Sequence, residues 1–391
     1  MKQLPLETPA FVYDEGVIDS ACARIARLAH ASDCKLLFSV KALALAGVLE
    51  IVARHVDGFS TSSPFESLLV SSVLGPAARI HTTCPGLRTQ DLASVGKTSD
   101  YLSFNSESQL KLFGDQIDKD VQLGIRVNPG LSLVTDARYD PCRPYSKLGA
   151  PLCEVAALFR TAPVEGRLNG LHVHNNCDSE TFDGLLRTVR HLDESIEEVL
   201  KSIAWINLGG GYTFPSEANL AAFVEAIGLL RSKYDIEVFI EPGAALVRSG
   251  VQLVTTVVDL FERDQRTIAV LDTSVNHVPE VFEYCDIADS EPWVLGQVDN
   301  GPYSYLLAGC TCLAGDVLGW YSFDHPLRIG DQVVILDIGA YAFSKAHWFN
   351  GINLPSVYAR SGPENMILKQ RFTFEDFARR NAVSKDRHKC G

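Results

Sequence analysis

The chain alternates strand-like apolar runs with helical stretches, and this alternation limits its possible folds more than any other feature. Helical periodicity is found between the runs, for example over residues 179–203 and 218–234. The apolar runs cover residues 35–40, 57–60, 79–83, 101–105, 122–128, 168–174, 204–208 and 236–241. About eight strand–helix units are what a closed (β/α)8 barrel needs. The sequence therefore predicts an α/β protein with a TIM-like barrel.

The segments outside the barrel predict a second domain made of β structure. After Val247, runs such as VQLVTTVVDLF, TIAVLD and DQVVILDIGAY are typical of antiparallel strands. The early run PAFVYD predicts one more strand, which we expect to join them. We therefore expect the barrel over residues 30–247. A C-terminal antiparallel β domain, made of residues 1–29 and 248–391, is expected to complete the functional site.

Composition and charge narrow the kind of partner. The 391 residues are 46% hydrophobic and 21% charged, which is typical of a globular protein with a sizeable core. A net charge of −13 disfavours nucleic acid and anionic membranes as partners and suits a cationic small molecule. No run predicts a signal peptide or a membrane span, and the ten scattered cysteines predict neither a disulfide framework nor a metal site. We therefore expect a cytoplasmic protein that binds a small molecule.

Polar or flexible residues stand at or just after the ends of the predicted barrel strands. A barrel gathers the carboxyl ends of its strands on one face, so these residues are expected to converge there. They are Lys41, Ser60, His81, Asn105, Arg126, His174, Gly209 and Glu241.

Lys41 and a glycine run are the first candidates for chemistry. A lysine after a strand is usually a solvated surface residue, but a desolvated lysine near other cations has a lowered pKa and forms a Schiff base with an aldehyde cofactor. The glycines Gly209, Gly210 and Gly211 directly follow a strand. Such a run suits a nest of backbone N–H groups around a phosphate, and it is equally typical of a tight turn. It has neither the GxGxxG nor the GxxxxGK spacing.

A carboxylate and a histidine complete the candidate set. Glu241 begins EPG after the last barrel strand, where a carboxylate can bond a pyridine nitrogen and keep the ring of pyridoxal 5′-phosphate (PLP) protonated. His174 ends LHVH and is a candidate to stack on that ring, with His172 on the same strand face. For His172 a paired histidine in the barrel core is an equal alternative. The set predicts PLP as the cofactor.

These motifs together resemble the ornithine/diaminopimelate decarboxylase group of fold-type III PLP enzymes, whose barrel is like that of alanine racemase. The resemblance extends from Thr8 to Ile352, nearly the whole chain, and its motifs are specific jointly rather than singly. It implies a PLP-dependent carboxy-lyase that works as a homodimer with shared active sites.

The resemblance also implies roles for single residues. By position, Lys41 in FSVKA is the Schiff-base lysine, Asp57 in DGFSTSS is an acidic residue near it, and Arg126 in IRVNPG lies near a cofactor oxygen. His174 stacks on the cofactor ring, Glu241 contacts the pyridine nitrogen, and Cys177 in HNNCD is a further cofactor contact. Gly209–Gly211 form the phosphate loop, and Tyr341 reaches the phosphate.

The segment GCTCLAGD and the run before it supply the expected substrate contacts. The resemblance implies that Cys312 and Asp316 come from the partner subunit. Cys312 would donate a proton to the substrate carbon, and Asp316 would hold a substrate amine by a charge-assisted contact. Without the resemblance, Cys312 would be interpreted as a small buried hydrophobe. His277 and Glu280, in LDTSVNHVPEVF, are two more candidates for binding the substrate.

Within the family, the chain is most similar to the carboxynorspermidine/carboxyspermidine decarboxylase branch, which implies decarboxylation of a carboxylated polyamine in polyamine biosynthesis. TSSPFE, RPYSKLG, CLAGD and FNGINLP carry this likeness, while HNNC in place of HxGS and Ala244 after EPG point away from diaminopimelate- and ornithine-type members. FEYCDIADSEPW departs from the branch, so a siderophore or antibiotic intermediate, or diaminopimelate, stays open as the substrate. An amino-acid racemase and a non-catalytic PLP carrier are the remaining alternatives.

Overall fold

The computed structural model describes residues 4–161, 167–215, 219–279, 293–362 and 365–383. The chain separates into two units, one of residues 19–246 and one of residues 1–18 with 247–391. The sequence placed the first boundary between residues 29 and 30, which falls inside the helix Glu15–Ala31. The boundary after the barrel differs from the expected one by a single residue.

The elements follow one another in a regular order. The strands are β1 (Ala10–Asp14), β2 (Lys35–Ser39), β3 (Gly58–Thr61), β4 (Ile80–Thr83), β5 (Tyr101–Phe104), β6 (Gln122–Asn128), β7 (Ala150–Pro151), β8 (Leu168–Val173), β9 (Trp205–Asn207), β10 (Glu237–Ile240), β11 (Val251–Arg263), β12 (Arg266–Leu271), β13 (Tyr303–Ala308), β14 (Val317–Phe323), β15 (Gln332–Ile335), β16 (Ser356–Arg360) and β17 (Met366–Gln370). The α-helices are α1 (Glu15–Ala31), α2 (Ala46–Val52), α3 (Pro64–Leu74), α4 (Leu92–Thr98), α5 (Glu107–Phe113), α6 (Leu152–Thr161), α7 (Asp183–Leu200), α8 (Ala221–Tyr234), α9 (Ala244–Val247), α10 (Ala342–Lys345) and α11 (Phe374–Arg380).

The unit of residues 19–246 is the predicted barrel. Its parallel strands follow the order β5-β4-β3-β2-β10-β9-β8-β6, and pairing of β5 with β6 closes the ring. The eight apolar runs found in the sequence coincide with these eight strands to within two residues at each end. The barrel prediction is therefore confirmed.

Short polar caps set where two of the barrel helices begin. Ser63 accepts the backbone N–H of Glu66 at 3.2 Å at the start of α3, and Pro64 occupies the first helical position. Ser106 accepts the N–H of Gln109 at 3.2 Å at the start of α5. Each cap follows a strand end closely, so the first turns of these helices lie at the carboxyl end of the barrel.

An aromatic layer fills the amino-terminal half of the barrel. The indole of Trp205 lies so close to β6 and β8 that a Cβ atom at Gly124 would be 2.6 Å from it, and one at Gly170 would overlap it. His81 stacks on Tyr101 with ring centroids 3.9 Å apart. Neither ring nitrogen of His81 has a hydrogen-bond partner among the described residues. The expectation that His81 joins the functional face is therefore wrong: it is the second residue of β4 and packs into this core layer.

The second unit is a twisted sheet in the order β14-β13-β12-β11-β1-β16-β17, with β15 paired to β11. Most neighbours are antiparallel, as predicted, and the run PAFVYD forms β1 beside β11. Two pairs, β12 with β13 and β1 with β16, are parallel. Phe11, Leu253 and Leu307 belong to its buried core. Among the described residues no helix is both long enough and apolar enough to cross a bilayer.

Candidate active site

The turns that carry Lys41 and Glu241 pack against each other at the carboxyl end of the barrel. β2 and β10 are parallel neighbours, Lys41 lies in the short turn Val40–Ala42 after β2, and Glu241 follows β10. A Cβ atom on Gly243 would lie 2.8 Å from the Cβ of Ala42, so only glycine allows this approach. Lys41 and Glu241 therefore lie on the same face of the barrel, as the sequence predicts.

Glu241 is buried and held through both carboxylate oxygens. Oε1 lies 3.2 Å from Nε2 of His172, and Oε2 accepts a hydrogen bond from Nδ2 of Asn207 at 2.7 Å. Burial opposes ionisation of Glu241. The hydrogen bond from His172 and the positive charge of Lys41 outweigh burial and hold the pKa of the carboxyl well below its usual value. Glu241 is therefore a charged acceptor at neutral pH.

His174 lies directly after β8 and is fixed by the glycine run. Its Nδ1 accepts the backbone N–H of Gly210 at 3.1 Å, and its carbonyl accepts from Arg126 at 3.5 Å. Burial lowers the pKa of His174 well below its usual value, and the cations Lys41 and Arg126 act in the same direction. Burial also lowers the pKa of Arg126. The imidazole of His174 is therefore neutral, with its proton on Nε2.

The glycine run has no room for side chains. Gly209 and Gly211 have φ angles of +74° and +86°, and a Cβ atom on Gly210 would lie 2.5 Å from the carbonyl oxygen of Glu241. The N–H of Gly209 donates to Oδ1 of Asn207 and that of Gly210 to His174. The N–H of Gly211 makes no hydrogen bond within the described part of the chain. Backbone alone therefore lines this part of the barrel mouth, and of the three N–H groups that of Gly211 is left to donate to a phosphate oxygen.

Cys177 lies beside this run. Its N–H donates to Oδ1 of Asn176 at 2.9 Å, and a Cβ atom on Gly211 would lie 2.9 Å from the Cys177 nitrogen. Cys177 is half-buried at the barrel mouth. Its predicted contact with the cofactor stays a prediction.

Glu66 is a member of the site that the sequence analysis missed. It lies in the first turn of α3, and its Oε2 accepts the N–H of Ser62 at 2.6 Å. Burial raises its pKa, and the positive charge of Lys41 opposes this rise. The cap pattern Ser-Pro-x-Glu directly after a predicted barrel strand was the available sign, because it places a carboxylate at the strand's carboxyl end.

Asp57 lies at the opposite end of the barrel, which contradicts its predicted place beside Lys41. It precedes β3, and its Oδ2 accepts the N–H of Leu36 at 2.8 Å and faces Nε2 of His30 at 2.8 Å. Lys41 lies beyond the other end of β2, in the turn Val40–Ala42. A residue just before a parallel barrel strand belongs to the amino-terminal face.

Asp316, in the second unit, has no acceptor left for a substrate amine. Its Oδ1 accepts from Oγ of Ser274 at 3.1 Å and from the N–H of Val275 at 2.9 Å. Its Oδ2 accepts from the N–H and the hydroxyl of Thr311, at 3.0 and 2.5 Å. The side chain is buried, and these four bonds fill the usual acceptor positions of a carboxylate. The structure thus contradicts the predicted substrate contact. Asp316 instead connects the segment of Ser274 and Val275 to the loop of Thr311 by hydrogen bonds.

His277 is also unsuited to the predicted contact with substrate. It is fully buried, and its Nδ1 lies 2.8 Å from the hydroxyl of Thr273. Burial lowers the pKa of His277 to about 4, so the ring is neutral near pH 7. A neutral ring without accessible surface does not bind a substrate directly. Glu280 lies outside the described residues.

Cys312 and Tyr341, the remaining predicted residues of the second unit, have distinctive local geometry. Cys312 is exposed, and its N–H donates to Oδ1 of Asn350 at 2.9 Å. Tyr341 has a φ angle of +70° just before α10, and the ammonium of Lys345 lies 5.4 Å from its ring centroid. Their predicted roles stay predictions.

The barrel and its mouth define a PLP-dependent enzyme. A lysine, a charged carboxylate, a neutral imidazole and a side-chain-free backbone loop lie at one end of the barrel and fit an aldehyde, a pyridine nitrogen, an aromatic ring and a phosphate. Residues 16–248 match the family described as "Pyridoxal-dependent decarboxylase, pyridoxal binding domain", more than half of the chain. The chain belongs to this family, and its cofactor is PLP.

Two curated relatives and one solved structure make the likeness more specific. The chain is 30% identical over 387 residues to a carboxynorspermidine/carboxyspermidine decarboxylase of Campylobacter jejuni, covering 96% of this chain and 99% of the relative. It is 29% identical over 381 residues to a carboxyaminopropylagmatine decarboxylase of Synechocystis, covering 96% and 95%. The structure of a Campylobacter jejuni carboxynorspermidine decarboxylase complexed with norspermidine superposes with a TM-score of 0.86 at 28% identity, covering 96% and 100%.

Proposed function

We propose that the chain decarboxylates carboxynorspermidine and carboxyspermidine to the polyamine and CO2, as a step of polyamine biosynthesis in the cytoplasm. The observation that carries the proposal is the sequence similarity to the Campylobacter jejuni relative, which extends over nearly the full length of both chains. That relative is named for these substrates. The geometry supports it because the groups that PLP chemistry needs lie together at the barrel mouth. A net charge of −13 suits a polycationic substrate.

Bound PLP supplies an electron-withdrawing ring that accepts the electron pair left when CO2 departs. The residues of the chain hold and orient the reacting groups around it. Lys41 is proposed to anchor the cofactor and to regain it after the product leaves. Glu241 is proposed to place its negative charge at the ring nitrogen, where it favours the protonated form. Neutral His174 and the glycine run are proposed to hold the ring face and the phosphate.

Arg126 and the neighbouring residues are proposed to complete the cofactor site. The guanidinium of Arg126 is buried, donates to the His174 carbonyl and forms no ion pair among the described residues, so an anionic cofactor oxygen would offset the cost of burying its charge. Cys177 is proposed to contact the cofactor beside the glycine run, and Tyr341 to reach the phosphate.

Cys312 is proposed to donate the proton that replaces CO2 on the substrate carbon. We propose that it acts across the interface of a homodimer, as the family resemblance implies. The exposure of Cys312 is consistent with this role, because a proton donor must reach the reacting carbon.

A second candidate substrate is favoured by the Synechocystis relative. That protein is named carboxyaminopropylagmatine decarboxylase. Its match covers the same share of this chain as the match of the first relative does. The same reaction on a carboxylated aminopropylagmatine would use the same residues at the barrel mouth. The difference would lie only in the contacts to the tail of the substrate.

Release of CO2 by the PLP-loaded protein tests the proposal. The substrates are carboxynorspermidine, carboxyspermidine, carboxyaminopropylagmatine, meso-diaminopimelate and L-ornithine, with Lys41→Ala as the inactive control. We expect the highest kcat/KM on a carboxylated triamine. We also expect borohydride reduction to attach the cofactor covalently to Lys41. A preference for carboxyaminopropylagmatine would establish the second candidate. CO2 release from none of the five, with cofactor still fixed on Lys41, would overturn the substrate proposal, and chiral analysis would then detect a racemase.

A further inference from the structure

A chain of three side chains, half-buried at Thr83 and buried at its other two members, leads from β4 to the carboxylate of Glu241. Nδ1 of His172 lies 3.3 Å from Oγ1 of Thr83, and Nε2 of the same ring lies 3.2 Å from Oε1 of Glu241. Both His172 and Glu241 are buried. The second oxygen of Glu241 is held by Asn207 at 2.7 Å. The carboxylate thus has a donor on each oxygen before any cofactor is considered.

The direction of each hydrogen bond follows from the ionisation states. Burial lowers the pKa of His172, although the charge of Glu241 opposes this, so the ring is neutral and carries one N–H. An ionised carboxylate only accepts hydrogen bonds, so that N–H is on Nε2. Nδ1 is then an acceptor, and the hydroxyl of Thr83 donates to it. One tautomer of His172 satisfies the whole chain.

We propose that His172 is a positioning residue that keeps Glu241 ionised and oriented toward the cofactor, with Thr83 selecting the tautomer in which His172 can donate. The inference rests on the proposed contact of Glu241 with the ring nitrogen of PLP. A carboxylate held by two donors has a fixed plane, which leaves a defined lone pair for a third partner. Loss of the His172 donor frees Oε1 and removes a contact that favours the charged form of Glu241.

The charged and titratable groups around His172 support the same state. Lys41 and Arg126 lie near enough to disfavour a protonated ring at His172, as does burial. His81, in the layer below, is also neutral, because burial lowers its pKa to about 3. Glu241 is the one group in this set that favours the imidazolium form. The ring of His172 is therefore neutral at pH 7.

Substitutions at His172 and Thr83 test the inference in the PLP-loaded protein. His172→Leu removes both ring nitrogens, His172→Gln keeps a donor for Glu241 and an acceptor for Thr83, and Thr83→Val removes the hydroxyl at constant shape. His55→Gln is the matched control, because His55 donates to Asp19 at 2.8 Å in another histidine–carboxylate pair. The readouts are the pH titration of the bound cofactor's absorbance, the Kd for PLP, and kcat and KM separately.

We expect His172→Leu to lower kcat about 10- to 100-fold with KM changed less than about threefold, as for loss of an orienting outer contact. Its cofactor absorbance should titrate at a different pH from wild type, and its Kd for PLP should rise. His172→Gln should restore most of kcat and the titration, Thr83→Val should lower kcat with unchanged KM, and His55→Gln should match wild type. Wild-type kcat and titration in His172→Leu, or in Thr83→Val if the leucine variant does not fold, would overturn the inference.

The absorbance titration needs no substrate, so it separates this inference from the proposed function. If wild type releases no CO2 from any triamine but the titration shifts in His172→Leu and not in His55→Gln, the positioning role stands while the substrate proposal fails. If the wild-type protein is active and neither kcat nor the titration responds to loss of His172, the positioning role fails alone.

Discussion

The backbone N–H of Cys312 donates to Oδ1 of Asn350 at 2.9 Å, and Asn350 itself has a φ angle of +55°. The bond joins the loop 309–316 to the short turn Phe349–Gly351, which lies almost 40 residues further along the chain. Asn350 therefore contributes twice, once by accepting from Cys312 and once by adopting a left-handed backbone conformation that asparagine tolerates better than most residues.

We expect Asn350→Gly to lower kcat about 10- to 100-fold, because it keeps the backbone conformation but frees the loop that carries the proposed proton donor. Asn350→Asp keeps the acceptor oxygen and should stay close to wild type. Steady-state kinetics and the rate of Cys312 alkylation by iodoacetamide measure the effect. Equal kcat and equal alkylation rates in both variants would argue against a role for this bond.

Gly170→Ala is expected to destabilise the barrel by about 1–3 kcal/mol or more, because the new Cβ would overlap the indole of Trp205 in a close-packed layer. The matched control is Gly228→Ala, within α8, where nothing lies within 4 Å of the new Cβ. That change should stabilise by about 0.4–1 kcal/mol, since alanine loses less conformational freedom than glycine. Urea unfolding of both variants compares them. A Gly170→Ala variant as stable as wild type would show that the indole can move.

His81 is expected to make the barrel sensitive to acid. Burial lowers its pKa from 6.5 to about 3, so the unfolded chain takes up a proton on His81 before the folded chain does. The stability contribution is present above pH 6.5 and is lost as the pH falls from 6.5 toward 3. His81→Phe should therefore reduce the slope of the free energy of unfolding against pH by up to about 1.4 kcal/mol per pH unit.

Urea unfolding at several pH values between 4.5 and 7.5 measures this slope, within the range where the folded protein persists. His325→Gln, a change at an exposed histidine, serves as the control and should keep the wild-type slope. An unchanged slope in His81→Phe would mean that other groups account for any loss of stability in acid.

Asp316 is expected to affect stability rather than substrate affinity. Asp316→Ala leaves four donors without their acceptor and should destabilise by about 2 kcal/mol or more. Thermal unfolding measures the loss, with Asp299→Ala, at an exposed position, as the control. An Asp316→Asn variant that unfolds like wild type but has a raised KM would restore the substrate contact that the sequence analysis assigned to Asp316.

Several parts of the site were predictable because they depend on local patterns. The eight apolar runs have the length and the apolar character of buried parallel strands, and parallel strands in a barrel must present their carboxyl ends together. Lys41, Glu241, His174 and the glycine run follow strand ends in the sequence, so their convergence followed from the fold class. The second β domain was predictable for the same reason, although its two parallel pairs were not.

Other assignments depended on distances between segments far apart in the chain. Asp57 and His81 both lie near barrel strands in the sequence, but one precedes its strand and the other points into the core layer of Trp205. Asp316 has the sequence context of a substrate contact, yet Ser274, Val275 and Thr311 fill its acceptors. A sequence pattern specifies which residue types are near a strand end. It does not specify whether their polar atoms are already satisfied.

The amino-acid sequence alone thus determined the barrel, the cofactor class and the end of the barrel at which the candidate site residues lie, since strand periodicity and chain direction are local properties. Only the tertiary structure decided which polar groups are free to act. Only the tertiary structure showed that Glu66 belongs to the site. It also showed the chain of hydrogen bonds from Thr83 through His172 to Glu241, because contacts between β4, β8 and β10 depend on closure of the barrel.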